Sequence, residues 1–217
     1  MARHWSPDAA FSVLFVCTGN ICRSAMAERV SRAYLDEALA ANATAIRVES
    51  AGTQAVVGSG VHPDSALVLS GFGGDQGGFA ARQLVDDMAI DADLTLTLTR
   101  AHRRAVLKSA PRALSRTFTL LEASALVQLV DPAAVLSGET FPERCRSLVK
   151  AMAAARPQRQ GDADDDVLDP IGQPLEVHQQ VGEVIASALL PLLERLVSLH
   201  DAPGAAAGEQ SPLTLVS

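Results

Sequence analysis

The feature that most constrains this chain is a short apolar run, Phe11 to Val16, which stops at the polar loop CTGNICRS and passes directly into a helical pattern. A nearly continuous apolar run is what a strand buried on both faces requires, and such strands belong to parallel sheets. From Ser24 the positions Met26, Val30, Ala33 and Tyr34 recur at helical spacing, with Glu28, Arg29, Arg32 and Asp36 on other faces. The order is strand, loop, helix.

Ile46 to Ala51 reads as a second strand and His62 to Ser70 as a short helix, Pro63 being suited to its first turn. GFGGDQGG then marks a flexible loop. Asp93 to Thr99 alternates Leu94, Leu96 and Leu98 with threonines, predicting a third strand. Behind it RAHRRAVLKSA is a basic helix whose Arg100, His102, Arg103, Arg104 and Lys108 are expected to form a solvated face. Thr117 to Leu121 completes a fourth strand. Strands separated by helices imply βαβ units, so the expected fold class is α/β, a four-stranded parallel sheet with helices on both faces.

Between Glu122 and Lys150, Pro132, Gly138 and Pro142 interrupt the helical pattern and predict short helices. RPQRQGDADDDVLDPIGQP reads as a surface loop. Val177, Val181, Val184, Ile185, Ala188, Leu189, Leu192 and Leu196 define a long amphipathic helix that Pro191 should kink or divide. The expected organisation is one domain over 1–200, with its core at about 11–198, and a disordered tail over 201–217.

A length of 217 residues with 48% hydrophobic content suits one domain with a full core. The net charge of −7 argues against a surface that binds nucleic acid or anionic membrane, because both need a cationic face. No segment has the roughly 18 apolar residues of a spanning helix, and the N-terminus lacks a leader pattern, so the chain reads as cytoplasmic with no membrane insertion. Three cysteines are too few, and odd in number, for a disulfide framework.

Two of those cysteines lie in the loop. CTGNICRS joins Cys17 to Arg23 by a segment short enough to curl around one tetrahedral anion. Backbone amides of Thr18, Gly19, Asn20, Ile21, Cys22, Arg23 and Ser24, followed by a helix N-terminus, create a positive potential that favours phosphate and thiolate alike. Arg23 adds a planar fork for two phosphate oxygens. Cys17 is then the nucleophile, and Ser24 can donate its hydroxyl to the departing sulfur. A Cys-to-Arg spacing of this kind also arises by chance. Its context lifts it: a buried strand before it, Gly19 and Asn20 able to turn left-handed within it, and a helix after it.

The segment VLFVCTGNICRSAMAERV resembles the signature of the low-molecular-weight protein tyrosine phosphatases. SAGT at Ser50 to Thr53, ARQL at Ala81 to Leu84, the Leu94 to Arg100 segment and DP at Asp169 to Pro170 are similar to family landmarks in the same order, so the resemblance covers about residues 11–198. It implies a flavodoxin-like topology with the site at the carboxyl end of the first strand. It implies a phosphocysteine intermediate and an Asp general acid, which carries over to Asp169. The implied partner is a phosphotyrosine protein or another aryl phosphate. No cofactor is expected.

The acid loop also holds Asp162, Asp164, Asp165 and Asp166, expected to face solvent. Pro170 favours Asp169, because it restricts the preceding backbone to extended geometry. Phosphotyrosine-specific members of the family carry aromatic residues where this chain has Val56, Ile171 and Gly172, and a proline where it has Ala25. Ile21 still offers an apolar contact to an aryl ring.

A thiol-dependent arsenate reductase would share the anion loop but needs further cysteines, and only Cys145 lies outside it. A phosphate-binding module without turnover is the third reading. Cys22 is placed to form a reversible disulfide with an oxidised Cys17. His62, His102, His178 and His200 are isolated along the sequence, and no His/Cys/Asp grouping has metal spacing, so no metal is expected.

Overall fold

The computed structural model describes residues 10–132, 137–159 and 164–200; the expected tail over 201–217 lies outside them. Strand β1 (Phe11–Cys17) runs into helix α1 (Arg23–Leu39), followed by β2 (Ile46–Gly52), α2 (Pro63–Gly71), α3 (Asp86–Asp91), β3 (Leu94–Thr97) and α4 (Arg100–Ser109). The chain continues through β4 (Thr117–Thr119), α5 (Leu120–Leu129), α6 (Phe141–Ala155) and α7 (Leu175–Ser198). The strands form one parallel sheet in the order β2-β1-β3-β4. This is the doubly wound arrangement in which the chain reverses direction beside β1, leaving a crevice at its carboxyl end.

Strand alternation divides the core in two. Phe11, Val13, Phe15 and Cys17 face one apolar layer with residues of α1, α5, α6 and α7. Leu14 and Val16 face a smaller layer with Ala89 of α3 and Val106 of α4. Burial of each large side chain contributes about 1.5–3 kcal/mol, which is why a polar residue has no place inside β1 except Ser12, tied at the strand's start to Asp93. The fold class read from the sequence is the one observed.

Local boundaries differ where capping overrides propensity. Thr119 and Glu122 form a capping box, so α5 begins at Leu120 and the fourth strand stops earlier than apolar content suggests. Thr140 and Glu143 form another, and Pro142, expected to break a helix, lies in the first turn of the 15-residue α6, where its missing N–H costs nothing. Pro191, expected to kink or divide the last helix, lies inside an unbroken α7 of 24 residues. The basic face expected on α4 is also incomplete: His102 and Val106 are buried there.

Gly52 ends β2 in contact with the loop that follows β1. A Cβ at this position would lie 2.4 Å from the Thr18 carbonyl oxygen and 3.0 Å from Ala55 Cα, both backbone atoms that cannot swing aside. Gly52→Ala is expected to cost roughly 1–3 kcal/mol of stability and to impair phosphate binding by displacing Thr18. Chemical denaturation alongside a phosphate titration checks both; wild-type values in each would show that the backbone yields freely.

Candidate functional site

Cys17 is the last residue of β1, and α1 starts at Arg23 with Cys22 as its N-cap. The intervening loop is folded by what its carbonyl groups meet. The Cys17, Thr18, Gly19 and Ile21 carbonyls accept hydrogen bonds from the amides of Thr53, Gln54, Val56 and His62 at 2.8–3.0 Å, and the Cys22 carbonyl accepts from Met26. In a trans peptide the C=O and the next N–H point oppositely. Turning those carbonyls outward therefore turns the amides of Thr18, Gly19, Asn20, Cys22 and Arg23 toward the pocket. The Asn20 amide meets Cys17 Sγ at 3.3 Å. These amides and the start of α1 make an anion cradle.

Asn20 holds the loop in shape. Its φ is +56°, a left-handed conformation that asparagine tolerates better than most residues, and it is fully buried. Its Nδ2 donates to Ser24 Oγ at 2.9 Å and Ser50 Oγ at 2.8 Å, while its Oδ1 accepts from the Arg82 amide at 2.9 Å. Ser50 in turn donates to Glu28 at 2.5 Å, and Arg82 Nε donates to the Ser50 carbonyl. Ser24 Oγ, which accepts from Asn20, lies 2.9 Å from Cys17 Sγ and can donate its proton to a thiolate there. Asn20 was expected only as part of the cradle. Glu28, Ser50 and Arg82 were not expected as site residues, although SAGT and ARQL, which contain the last two, are the sequence signal that could have found them.

Arg23 is almost fully buried and reaches across to the loop after α6. Nη1 donates to the Val167 carbonyl at 3.0 Å and Nη2 pairs with Asp169. Val167 is itself anchored by its amide to the Leu98 carbonyl beyond β3. Asp169 is partly exposed and lies beside Cys17 and Arg23 in the pocket, with Pro170 behind it. Of the other aspartates, Asp166 accepts from the Arg100 amide at the start of α4, Asp164 lies beside Arg100, and Asp165 is paired with Arg159. Asp165 is half-buried rather than facing solvent as expected, because that ion pair folds it inward. Asp162 lies outside the described residues.

The pocket above Cys17 has a volume of about 210 Å³ and is walled by Ile21, Gln54, Val56 and Ile171. Val56 and Ile171 stand where an aromatic ring was missed in the sequence, and both are about half exposed. Apart from the Gln54 amide, these walls are aliphatic.

The histidines, read as isolated, are not. His102 is buried beneath the loop, with Nε2 2.9 Å from Thr18 Oγ1 and Nδ1 2.9 Å from Thr99 Oγ1. His62 and His178 stack 5.0 Å apart and gather around Cys22. Contacts spanning 84 and 113 positions leave no periodic trace in a sequence.

Comparison with known proteins agrees with this geometry. The family model for low molecular weight phosphotyrosine protein phosphatase matches residues 12–155. The chain belongs to that family. A Streptomyces coelicolor low molecular weight protein-tyrosine-phosphatase is 34% identical over 168 residues, 70% of this chain and 98% of that protein. The Wzb phosphatase of Escherichia coli K12 is 36% identical over 46% of this chain and 63% of its own length. Among solved structures, the low molecular weight protein tyrosine phosphatase of T. tengcongensis is 27% identical with a TM-score of 0.61, covering 85% of this chain and 99% of that one. The YwlE arginine phosphatase of Geobacillus stearothermophilus is 26% identical with a TM-score of 0.59, covering 87% and 94%. The family match ends before Asp169, so the acid loop stands on its own geometry.

Burial, with the Arg23 charge adding to it, pulls the His102 pKa down to about 4. The folded state thus binds this proton less well than the unfolded chain, whose histidine titrates near ~6.5. Stability attributable to neutral His102 is intact above about pH 6.5 and is lost as the pH falls toward 4. Thermal unfolding followed from pH 7 to pH 4 is expected to show a steeper decline in wild type than in His102→Gln. Parallel curves would exclude His102 as the source.

Proposed function

We propose that this protein hydrolyses phosphomonoesters, with phosphotyrosine or another aryl phosphate as substrate, through a phosphocysteine at Cys17. The observation that carries this reading is the convergence of Cys17, Arg23 and Asp169 on one pocket at the carboxyl end of β1. The phosphoryl oxygens would lie on the amides of Thr18 to Arg23, where charge developing in the transition state meets donors already oriented. Arg23 would exchange its Asp169 contact for phosphate oxygens. Asp169, released, would meet the leaving oxygen.

Asp169, once released from Arg23, takes a proton from solvent. Cys17 then attacks phosphorus as a thiolate while the ester P–O bond breaks, and Asp169 delivers that proton to the departing phenolate. In the second step water attacks the phosphocysteine and gives a proton back to Asp169. The P–S bond breaks, and the Ser24 hydroxyl stabilises the returning thiolate. Each group needed is within reach of Cys17 or Arg23 in the resting arrangement.

The arsenate-reductase alternative weakens on placement. Cys145 is buried in α6 and packed in the main core, where desolvation pushes its thiol far up. It cannot relay oxidation from Cys17. Phosphoarginine is a second candidate substrate, since a YwlE arginine phosphatase shares the fold and the pocket lacks aromatic walls. Against it, Asp169, the acidic residue lining the pocket, is already paired with Arg23, and Ile21, Val56 and Ile171 offer a guanidinium no anionic partner. Turnover of a phosphotyrosine peptide and of phosphoarginine at equal concentration decides between them. The expected result is at least tenfold preference for the aryl ester, abolished for both by Cys17→Ser. The reverse preference would reassign the substrate, and an active Cys17→Ser would end the mechanism.

The assignment of the acid makes a separate prediction. In Asp169→Asn the phosphorylation rate of poorly activated phenyl phosphates should fall roughly 10²- to 10⁴-fold, and that of highly acidic phenols much less. Asp166→Asn, which only loses a contact to Arg100, should retain nearly wild-type dependence on the leaving group. Single-turnover kinetics over a phenol series measure this; a steepened dependence in Asp166→Asn alone would move the acid there.

A further inference from the structure

Next to the phosphate loop, one ligand atom each from Cys22, which also lines the pocket, and from His62 and His178 lies within 4.8 Å of the others. His62 is the N-cap of α2 and His178 belongs to the first turn of α7, so three separate segments meet here. The polar atoms are poorly used. His178 Nε2 is fully buried and His62 Nδ1 is buried, and neither makes a hydrogen bond. The Pro170 carbonyl lies near the His178 ring, outside hydrogen-bond geometry with Nε2. Both free nitrogens face the same Asp64 carboxylate oxygen, at 3.9 and 4.0 Å. These gaps are too long for hydrogen bonds and close to the roughly 3.3–3.6 Å edges of a tetrahedron built on Zn–N and Zn–S bonds.

The surroundings fit ligation as well. Ser65 Oγ is 2.8 Å from His178 Nδ1 and also reaches the Cys22 sulfur. A Ser65 hydroxyl that donates to Cys22 must accept from His178 Nδ1–H. In that arrangement Nε2 carries a free lone pair, and the Cys22 thiol, which burial pushes up to about 11, gives up its proton only when a cation takes its place. This is the arrangement by which outer partners orient metal-binding histidines. Desolvation of two stacked imidazoles and a thiol with no ion between them is costly, and it is relieved when a cation supplies the missing partner.

We propose that Cys22, His62 and His178 form a binding site for Zn²⁺ or a similar borderline-soft divalent cation, with the Asp64 carboxylate beside the two imidazoles. The sulfur and nitrogen donors select Zn²⁺ over Mg²⁺ or Ca²⁺. The Cys22 thiol proton leaves to solvent as the Zn–S bond forms, with no change in oxidation state. An ion must lie near the plane of each ring, and the rings are stacked at 15°, so one has to turn. His62 has the room, being a quarter exposed at a helix entrance, while Ser65 holds His178. The bound ion would tie the phosphate loop to α2 and α7. This inference is independent of the reaction assigned to Cys17.

The full chain, reduced and stripped with a chelator, would be titrated with Co²⁺ and the complex displaced with Zn²⁺. The expected result is one equivalent of Co²⁺ giving a thiolate charge-transfer band and the intense visible bands of a tetrahedral ion. Zn²⁺ should also raise the thermal midpoint. Cys22→Ser should remove the charge-transfer band, and His62→Ala should weaken binding roughly tenfold or more without unfolding the chain, since His62 is partly exposed. Cys17→Ser should bind as wild type does. An absent band in wild type, a band lost in Cys17→Ser but kept in Cys22→Ser, or undiminished affinity in His62→Ala would each overturn the site.

Discussion

The site depends on one buried asparagine held in a left-handed conformation. With φ at +56°, Asn20 reverses the chain within a loop that leaves β1 and must enter α1 a few residues later. Its amide group has partners on both polar atoms: Ser24 at the start of α1, Ser50 in β2, and the Arg82 backbone. Removing that side chain would leave the left-handed backbone without support and the two serines without a donor. The loop carbonyls are turned outward onto the Thr53 to His62 segment, and that orientation aims the amides inward. The geometry of the anion cradle is therefore set from outside it, by residues that never touch the anion.

A second constraint comes from the charge of Arg23. A guanidinium this deeply buried needs an anionic partner or strong acceptors, because an uncompensated charge in such a place costs several kcal/mol. In the resting structure Asp169 and the Val167 carbonyl satisfy it. The requirement links two parts of the chain 146 positions apart, so the loop that carries Asp169 is drawn to the cradle by Arg23. A dianion entering the pocket offers Arg23 a better partner than one carboxylate does. In the proposed reaction that exchange would release Asp169, whereas Val167, fixed to Leu98, keeps the loop in place.

The parallel sheet was legible because buried strands must be apolar, and Phe11 to Val16 and Leu94 to Leu98 leave few alternatives. That Cys17 and Arg23 share one loop was legible because the loop is local, and the DP pair singled out Asp169, which the structure brings to the same pocket. What escaped the reading is polar and non-local. A capping box turned Pro142 from a breaker into a helix start, and ion pairing drew Asp165 inward. His102 is on a helix that looks basic all round, yet its one buried face meets Thr18. His62 and His178 pair across more than a hundred residues, a distance over which no pattern of hydrophobicity carries information.

The pocket separates chemistry from selectivity in a way the burial makes plain. Cys17, Asn20, Arg23 and Ser24 are all buried, each bonded to others of the set or to the segments around it, so a change at one disturbs several. Val56 and Ile171 stand about half exposed at the rim. Val56 is joined to the cradle by its backbone alone, through the Gly19 carbonyl, and Ile171 by its amide to Asp169. Their side chains can therefore change size or polarity while the backbone contacts that shape the cradle persist. Such variation at the two rim positions leaves Cys17, Asn20, Arg23 and Ser24 with their buried contacts.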